Sequence, residues 1–127
     1  MKRSGVLNPA LAEGLARLGH GHLVLVVDCG TPIPPGARVV DVSVVAGVPG
    51  FTQVLDAVLD EIVVEGSVAA SESAGTVVAG WLEERGLSPE LVPHEDLKAL
   101  LPGAALVIRT GEATAWANVG LRCGVPF

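Results

Sequence analysis

Three histidines, an aspartate after an apolar run and a tryptophan in a loop of small residues are the groups with chemistry to offer in this 127-residue sequence. His20 stands just before the run Leu23 to Val27, and Asp28 just after it. A histidine exchanges protons near neutral pH, and an adjacent aspartate would fix its tautomer. Five extended residues span about 17 Å, so the two meet only if Gly19-His20-Gly21 folds back along the end of the sheet. Each also has an ordinary reading: His20 as a helix C-terminal histidine favoured by the dipole, Asp28 as a turn residue bonding its own loop. An aspartate at the carboxyl end of a buried strand is nevertheless where α/β sheets place function. His20, His22, Asp28 and Cys29 are metal-ligand types, but beyond His-x-His no spacing supports a metal centre. His94 sits at a predicted helix start. Trp116 reads first as a core residue; it also lies two residues from Asn118, and an indole face with an amide suits a sugar, which offers C–H faces and paired hydroxyls. Arg109 and Glu112 read as an ion pair across a turn. No Walker loop, GxGxxG, GxSxG or CxxC is present, so nucleotide, serine-hydrolase and dithiol chemistry have no support.

The elements that must position these groups alternate in type. Asn8-Pro9 reads as an N-cap and first helical residue, followed by Leu11, Leu15 and Leu18 at helical spacing, with Gly19 placed to end the helix. Gly14 costs that helix about 1 kcal/mol relative to alanine. Leu23 to Val27 is predicted as a central strand covered on both faces. The prolines between Thr31 and Gly36 make a loop. Val39 to Val45 is predicted as a second strand and Val48-Pro49-Gly50 as a turn. Phe51, Val54, Leu55, Val58 and Leu59 mark one face of a helix. Ile62 to Ala70 is predicted as a third strand. A helix capped by Ser71 or Ser73 follows, with Val77, Val78, Trp81 and Leu82 as its buried stripe and Gly86 as its terminator. Leu91-Val92 is a short strand, Pro93 to Asp96 opens a short helix, and Ala105 to Ile108 and Val119 to Cys123 are the last strands. Alternating strands and helices imply one α/β layer domain spanning residues 1–127.

Half of the residues are hydrophobic and the mean hydropathy is +0.54, enough to cover more than one chain's core and so to favour oligomerisation. A net charge of −6 without a Lys/Arg cluster argues against nucleic acid as a partner. No apolar run approaches a membrane span, and Asn8-Pro9 interrupts any export signal behind Met1-Lys2-Arg3. Cys29 and Cys123 fit no redox or metal spacing and read as free thiols, which points to the cytoplasm.

Taken in order, the motifs resemble the D-ribose pyranase / L-fucose mutarotase family. The likeness rests on Val6-Leu7-Asn8, Leu18-Gly19-His20 and Asp28-Cys29-Gly30-Thr31-Pro32-Ile33-Pro34 in the first third. Gly47-Val48-Pro49, Gln53-Val54-Leu55 and Val64-Glu65 follow, then His94-Glu95, Ile108-Arg109-Thr110-Gly111-Glu112, Ala117-Asn118 and Cys123-Gly124-Val125. The Asp-x-Gly-x-Pro-Ile-Pro block is closer to the pyranase branch. The resemblance implies a three-layer α/β/α fold with a central mixed sheet, in a homodecamer of two pentameric rings. It implies an isomerase of β-D-ribopyranose and β-D-ribofuranose without a cofactor or a metal. It also implies His20 as proton donor and Asp28, His94, Trp116, Ala117 and Asn118 as sugar contacts. Trp116 stands where the family pattern has a tyrosine, and an indole cannot shuttle a proton near neutral pH. The alternatives are a non-catalytic sugar-binding or regulatory protein on the same fold and a mutarotase for a different aldose. A metal-dependent enzyme using His20, His22 and Cys29 would lose activity to a chelator. An assembled site can draw on two chains.

Overall fold

The computed structural model describes all residues, Met1–Phe127. Helix α1 (Pro9–Ala16) is capped by Asn8, whose side chain accepts the Leu11 N–H. Strand β1 (Leu23–Val27) matches the apolar run residue for residue, and its side chains alternate between two buried clusters. Strand β2 (Val39–Asp41) is shorter than the predicted Val39 to Val45. Asp41 turns its carboxylate onto the Ser43 N–H, and the chain leaves the sheet in a small turn closed by a Val45–Val48 bridge. Helix α2 (Phe51–Leu59) follows, then β3 (Val64–Ala70), α3 (Val77–Glu84), β4 (Glu90–Val92), α4 (His94–Ala99), β5 (Leu106–Arg109) and β6 (Val119–Cys123).

The start of α3 differs from the sequence expectation. Ser71–Ser73 form a 3-10 turn, with the Ser73 hydroxyl donating to the Ala70 carbonyl, and Thr76 is the cap that accepts the Val78 N–H. Val77, predicted to be buried, is 55% exposed as a result. Gly86, with φ of 71°, ends the helix as expected.

The six strands form one mixed sheet in the order β2-β5-β1-β6-β3-β4. β1 runs parallel to β5 and antiparallel to β6, and β6 runs antiparallel to β3. Val24, Val26, Leu106, Ile108, Val119 and Leu121 face a cluster of 19 buried residues supplied in part by α1, α2 and α3. The opposite face carries only 6, including Leu25, Val27 and Val107 with Leu97 of α4 and Leu101. The chain is therefore three-layered, with one thick and one thin helical layer. Gly14 of α1 is explained by its neighbour: a Cβ there would lie 3.0 Å from a Leu106 methyl, so glycine lets α1 approach the sheet.

Gly111 is under tighter constraint. A Cβ there would sit 2.3 Å from the Val48 carbonyl oxygen and 2.7 Å from that of Val45. Its N–H also donates to the Pro49 carbonyl. Gly111→Ala should therefore cost about 1–3 kcal/mol or more through overpacking against rigid backbone, read from urea denaturation. A variant as stable as wild type would show that the Val45–Val48 turn is free to move away.

Candidate functional site

The loop after β1 and the loop before β6 meet at the carboxyl end of β1, and one buried side chain joins them. Asn118 is 1% exposed. Its Oδ1 accepts the Asp28 N–H at 2.9 Å, and its Nδ2 donates to Asp28 Oδ2 at 3.0 Å. Asp28 Oδ1 accepts the Gly30 N–H at 3.0 Å. The Thr31 hydroxyl lies 2.9 Å from both Asp28 Oδ1 and Asn118 Oδ1, and its single proton serves one at a time. Asp28 is thus the turn residue of the ordinary reading and a fixed carboxylate as well. One lone-pair direction of its Oδ2 remains for a ligand.

Asp28, Cys29, Thr31, His94, Glu112 and Trp116 are among the residues lining a cleft of about 370 Å³, ample for a monosaccharide. Glu72, just past β3, accepts the His94 N–H on both carboxylate oxygens, at 3.2 and 2.9 Å. Hydrogen bonds from its own N–H and from that of His94 hold the Glu72 carboxyl below its ordinary pKa. The His94 ring meets Trp116 edge-on at 4.9 Å between centroids. Its Nδ1 is buried without a partner, so Nε2 is the nitrogen left for a ligand. Trp116 has φ of 67°, a left-handed conformation unusual for a bulky residue. Its carbonyl accepts the Asn118 N–H at 2.8 Å. Ala117 and Asn118 themselves are buried.

Glu112 does not pair with Arg109, contrary to the sequence reading. Arg109 reaches Asp41 at 3.4 Å instead. Glu112 Oε2 accepts the N–H of Phe51, the first residue of α2, at 3.0 Å. Its Oε1 accepts the Ala113 and Thr114 N–H groups and the Thr114 hydroxyl. The carboxylate ties the start of α2 to the loop that leads to Trp116. Burial pushes its pKa up, but the bonds from Phe51, Thr114 and Ala113 outweigh this and leave it below the ordinary carboxylate value. Neither Glu112 nor Glu72 carries a motif that reveals its bonding. Thr31 was missed as a partner, although Asp28, Gly30 and Thr31 have the spacing of an Asx turn that could have revealed it.

His20 is not at this cleft. It is exposed at the amino end of β1, where its Nε2 lies 2.9 Å from Glu65 Oε2. The fold-back demanded by the His20–Asp28 pairing does not occur. The Gly21 N–H donates to the Cys123 carbonyl, which pins the segment beside the end of β6, with the whole of β1 between it and Asp28. His22 Nδ1 accepts the Gly19 N–H at 3.0 Å, and Cys29 lies at the far end of the same strand. The residues of the metal reading are therefore spread over both ends of β1, and no three His, Cys, Asp or Glu side chains converge to hold an ion. Both cysteines are free, Cys29 exposed and Cys123 buried.

Comparison with known proteins matches residues 1–126 to the RbsD / FucU transport protein family. A D-ribose pyranase of Streptomyces avermitilis is 57% identical, with 100% of each chain covered. One from Cutibacterium acnes is 50% identical, again over 100% of both. Among solved structures, RbsD of Bacillus subtilis complexed with D-ribose superposes with a TM-score of 0.92 at 38% identity, covering 100% of both chains. A fucose mutarotase of Streptococcus pneumoniae in complex with L-fucose shares the fold, with a TM-score of 0.82 at 21% identity and 100% of both chains covered.

Two outcomes are expected of this geometry. Asn118→Ala strips partners from the Asp28 N–H and carboxylate and should cost about 1–3 kcal/mol, measured by urea denaturation. Because the folded pKa of Glu112 is lowered, its carboxylate contributes stability that is complete above its ordinary value of 4.5. That contribution is lost as the pH falls through the lower folded value. Glu112→Gln should therefore destabilise the protein at neutral pH, and the gap to wild type should narrow as the pH falls below 4.5. A gap constant across that range would show that the charge is not what holds the loop.

Proposed function

Because this chain belongs to the RbsD / FucU transport protein family, we propose that it is an isomerase interconverting β-D-ribopyranose and β-D-ribofuranose. The observation that carries this reading is the monosaccharide-sized cleft in which Asp28, His94 and Trp116 converge, in a chain aligned end to end with D-ribose pyranases.

The reaction moves only protons and one C–O bond. The anomeric hydroxyl gives up its proton, the bond from C1 to the ring oxygen breaks, and that oxygen is protonated. The resulting open-chain aldehyde rotates, and the C4 hydroxyl adds to C1 to close the five-membered ring. Side chains that exchange protons suffice, so no cofactor or metal is called for. General acid–base help of about a hundred- to ten-thousand-fold, roughly 3 to 5 kcal/mol, accelerates a reaction that already proceeds in water. His20 is the proton carrier. Asp28 accepts a sugar hydroxyl on its free lone pair, and His94 binds a second hydroxyl through Nε2. The Trp116 indole covers a C–H face of the ring. Ala117 and Asn118 complete the contact segment, with Asn118 acting mainly by holding Asp28.

Since His20 lies at the other end of β1 from the cleft, the site is completed by His20 of a neighbouring subunit. The assembly is a homodecamer of two pentameric rings in the cytoplasm. Exposed Leu7, Val44, Val45, Val48, Leu91 and Phe127 support extensive subunit contact. No helix is long and apolar enough to cross a membrane. The replacement of a phenol by Trp116 favours a second reading, a mutarotase for another aldose or a sugar-binding protein without turnover.

NMR exchange between the pyranose and furanose signals of ribose is the test. Purified protein should speed the exchange, and an unchanged rate at saturating ribose would rule out the enzyme. Faster exchange with fucose or another aldose than with ribose would favour the second reading. His20→Ala should lose about a hundredfold or more in rate, the lower end of general acid–base effects. Light scattering should give the mass of a decamer; a monomer would contradict the two-chain site.

A further inference from the structure

Glu65 faces His20 from an irregularity in the sheet. Along β3, Val64 pairs with Cys123 and Gly66 with Arg122, so Glu65 is the extra residue of a bulge. A bulge leaves its residue unpaired, bends the strand and re-aims the side chain. Here the side chain is aimed at His20 Nε2, 2.9 Å from Oε2. Gly124 gives it room: a Cβ there would lie 3.2 Å from the Glu65 Cβ and 3.5 Å from Oε2. His20 is held from the other side. Gly21, at φ of 79°, donates its N–H to the Cys123 carbonyl at 2.8 Å, and the Cys123 N–H donates to the His22 carbonyl at 2.8 Å. Both partners are thus fixed by backbone to the same end of β6.

An exposed histidine–glutamate pair, here 61% and 40% exposed, contributes little to stability. The bulge, the glycine clearance and the clamped histidine segment are more than such a pair requires. We infer that Glu65 is a positioning residue for the proton carrier. Its carboxylate accepts the Nε2 hydrogen of His20, which fixes the tautomer and leaves the Nδ1 lone pair for the sugar. Nδ1 takes the anomeric hydroxyl proton, Glu65 stabilises the imidazolium so formed, and Nδ1 returns a proton to the ring oxygen as the C–O bond breaks. The inference rests on His20 being the proton carrier proposed above.

The experiment compares Glu65→Ala, Glu65→Gln, His20→Ala and the double variant Glu65→Ala/His20→Ala. Exchange rates come from NMR, and ribose affinity from calorimetry. Glu65→Ala should lower kcat about tenfold to a hundredfold while leaving ribose affinity unchanged, because Glu65 acts through His20 and makes no contact of its own with the sugar. Glu65→Gln keeps an acceptor oxygen without the charge and should fall between. The double variant should be no slower than His20→Ala, since Glu65 acts only through His20. Full activity in Glu65→Ala beside an impaired His20→Ala would overturn this inference and leave the isomerase reading intact. Additive losses in the double variant would also overturn it. Full activity in His20→Ala would remove the proton-carrier assignment and this inference together. If light scattering shows Glu65→Ala misassembled, Glu65→Gln and Gly124→Ala decide. Gly124→Ala crowds the carboxylate without touching the reacting groups, so wild-type kcat in both would overturn the inference.

Discussion

One buried amide organises the carboxyl end of the central strand. Asn118 has no exposed surface to speak of, and its amide is committed to Asp28 and to the hydroxyl of Thr31. In an interior of low polarity such a group is costly unless satisfied, so the loop after β1 and the loop before β6 must stay in register for the amide to be tolerated. Asp28 inherits its orientation from that requirement. Trp116 adopts its left-handed backbone in the same turn, where its carbonyl accepts the Asn118 N–H just ahead of β6. A carboxylate and an indole are thereby presented to one cleft without any direct bond between them.

Charge in this acidic chain is used locally. Glu72 receives the amide of His94, Glu112 receives amides from α2 and from its own loop, and Glu65 faces an imidazole. Glu72 sits in the 3-10 turn after β3, Glu112 in the loop after β5 and Glu65 at a bulge within β3, and each has donors that an uncharged side chain would serve less well. Long-range repulsion between them is screened over about 8–10 Å in physiological salt, whereas their short bonds are not. The net charge therefore reads as the sum of separate local arrangements, and it does not describe a surface for an acidic or basic partner.

Much of this was legible in the residues, and the exceptions have physical causes. Apolar runs and helix caps fixed β1, α1 and α2 because period and capping are local properties. β2 was overextended because Val44 and Val45 look like strand residues, yet the Asp41 side chain competes with the ladder by bonding the Ser43 backbone. The cap of α3 was misplaced for a similar reason: Ser73 spends its hydroxyl on the preceding turn. Asp28, His94 and Trp116 were expected as sugar contacts, and all three line one cleft. The pairing of His20 with Asp28 in one chain failed, because the Gly21–Cys123 bond lies far from Gly21 in sequence and leaves no trace there. Glu112 and Glu72 were unreadable on the same grounds, since backbone amides as partners carry no residue code.

The strand order has a consequence for how the protein is made. β6, the last strand to be synthesised, lies between β1 and β3, and β5, the next to last, lies between β1 and β2. Until β5 and β6 leave the ribosome, β1 and β2 have no neighbours to pair with, β3 has only the short edge strand β4, and Asp28 has no amide to hold it. Early helices can form, but the sheet cannot close around them. Commitment to the native state therefore waits for β6, and the apolar strand β1 must be shielded from other nascent chains during that interval.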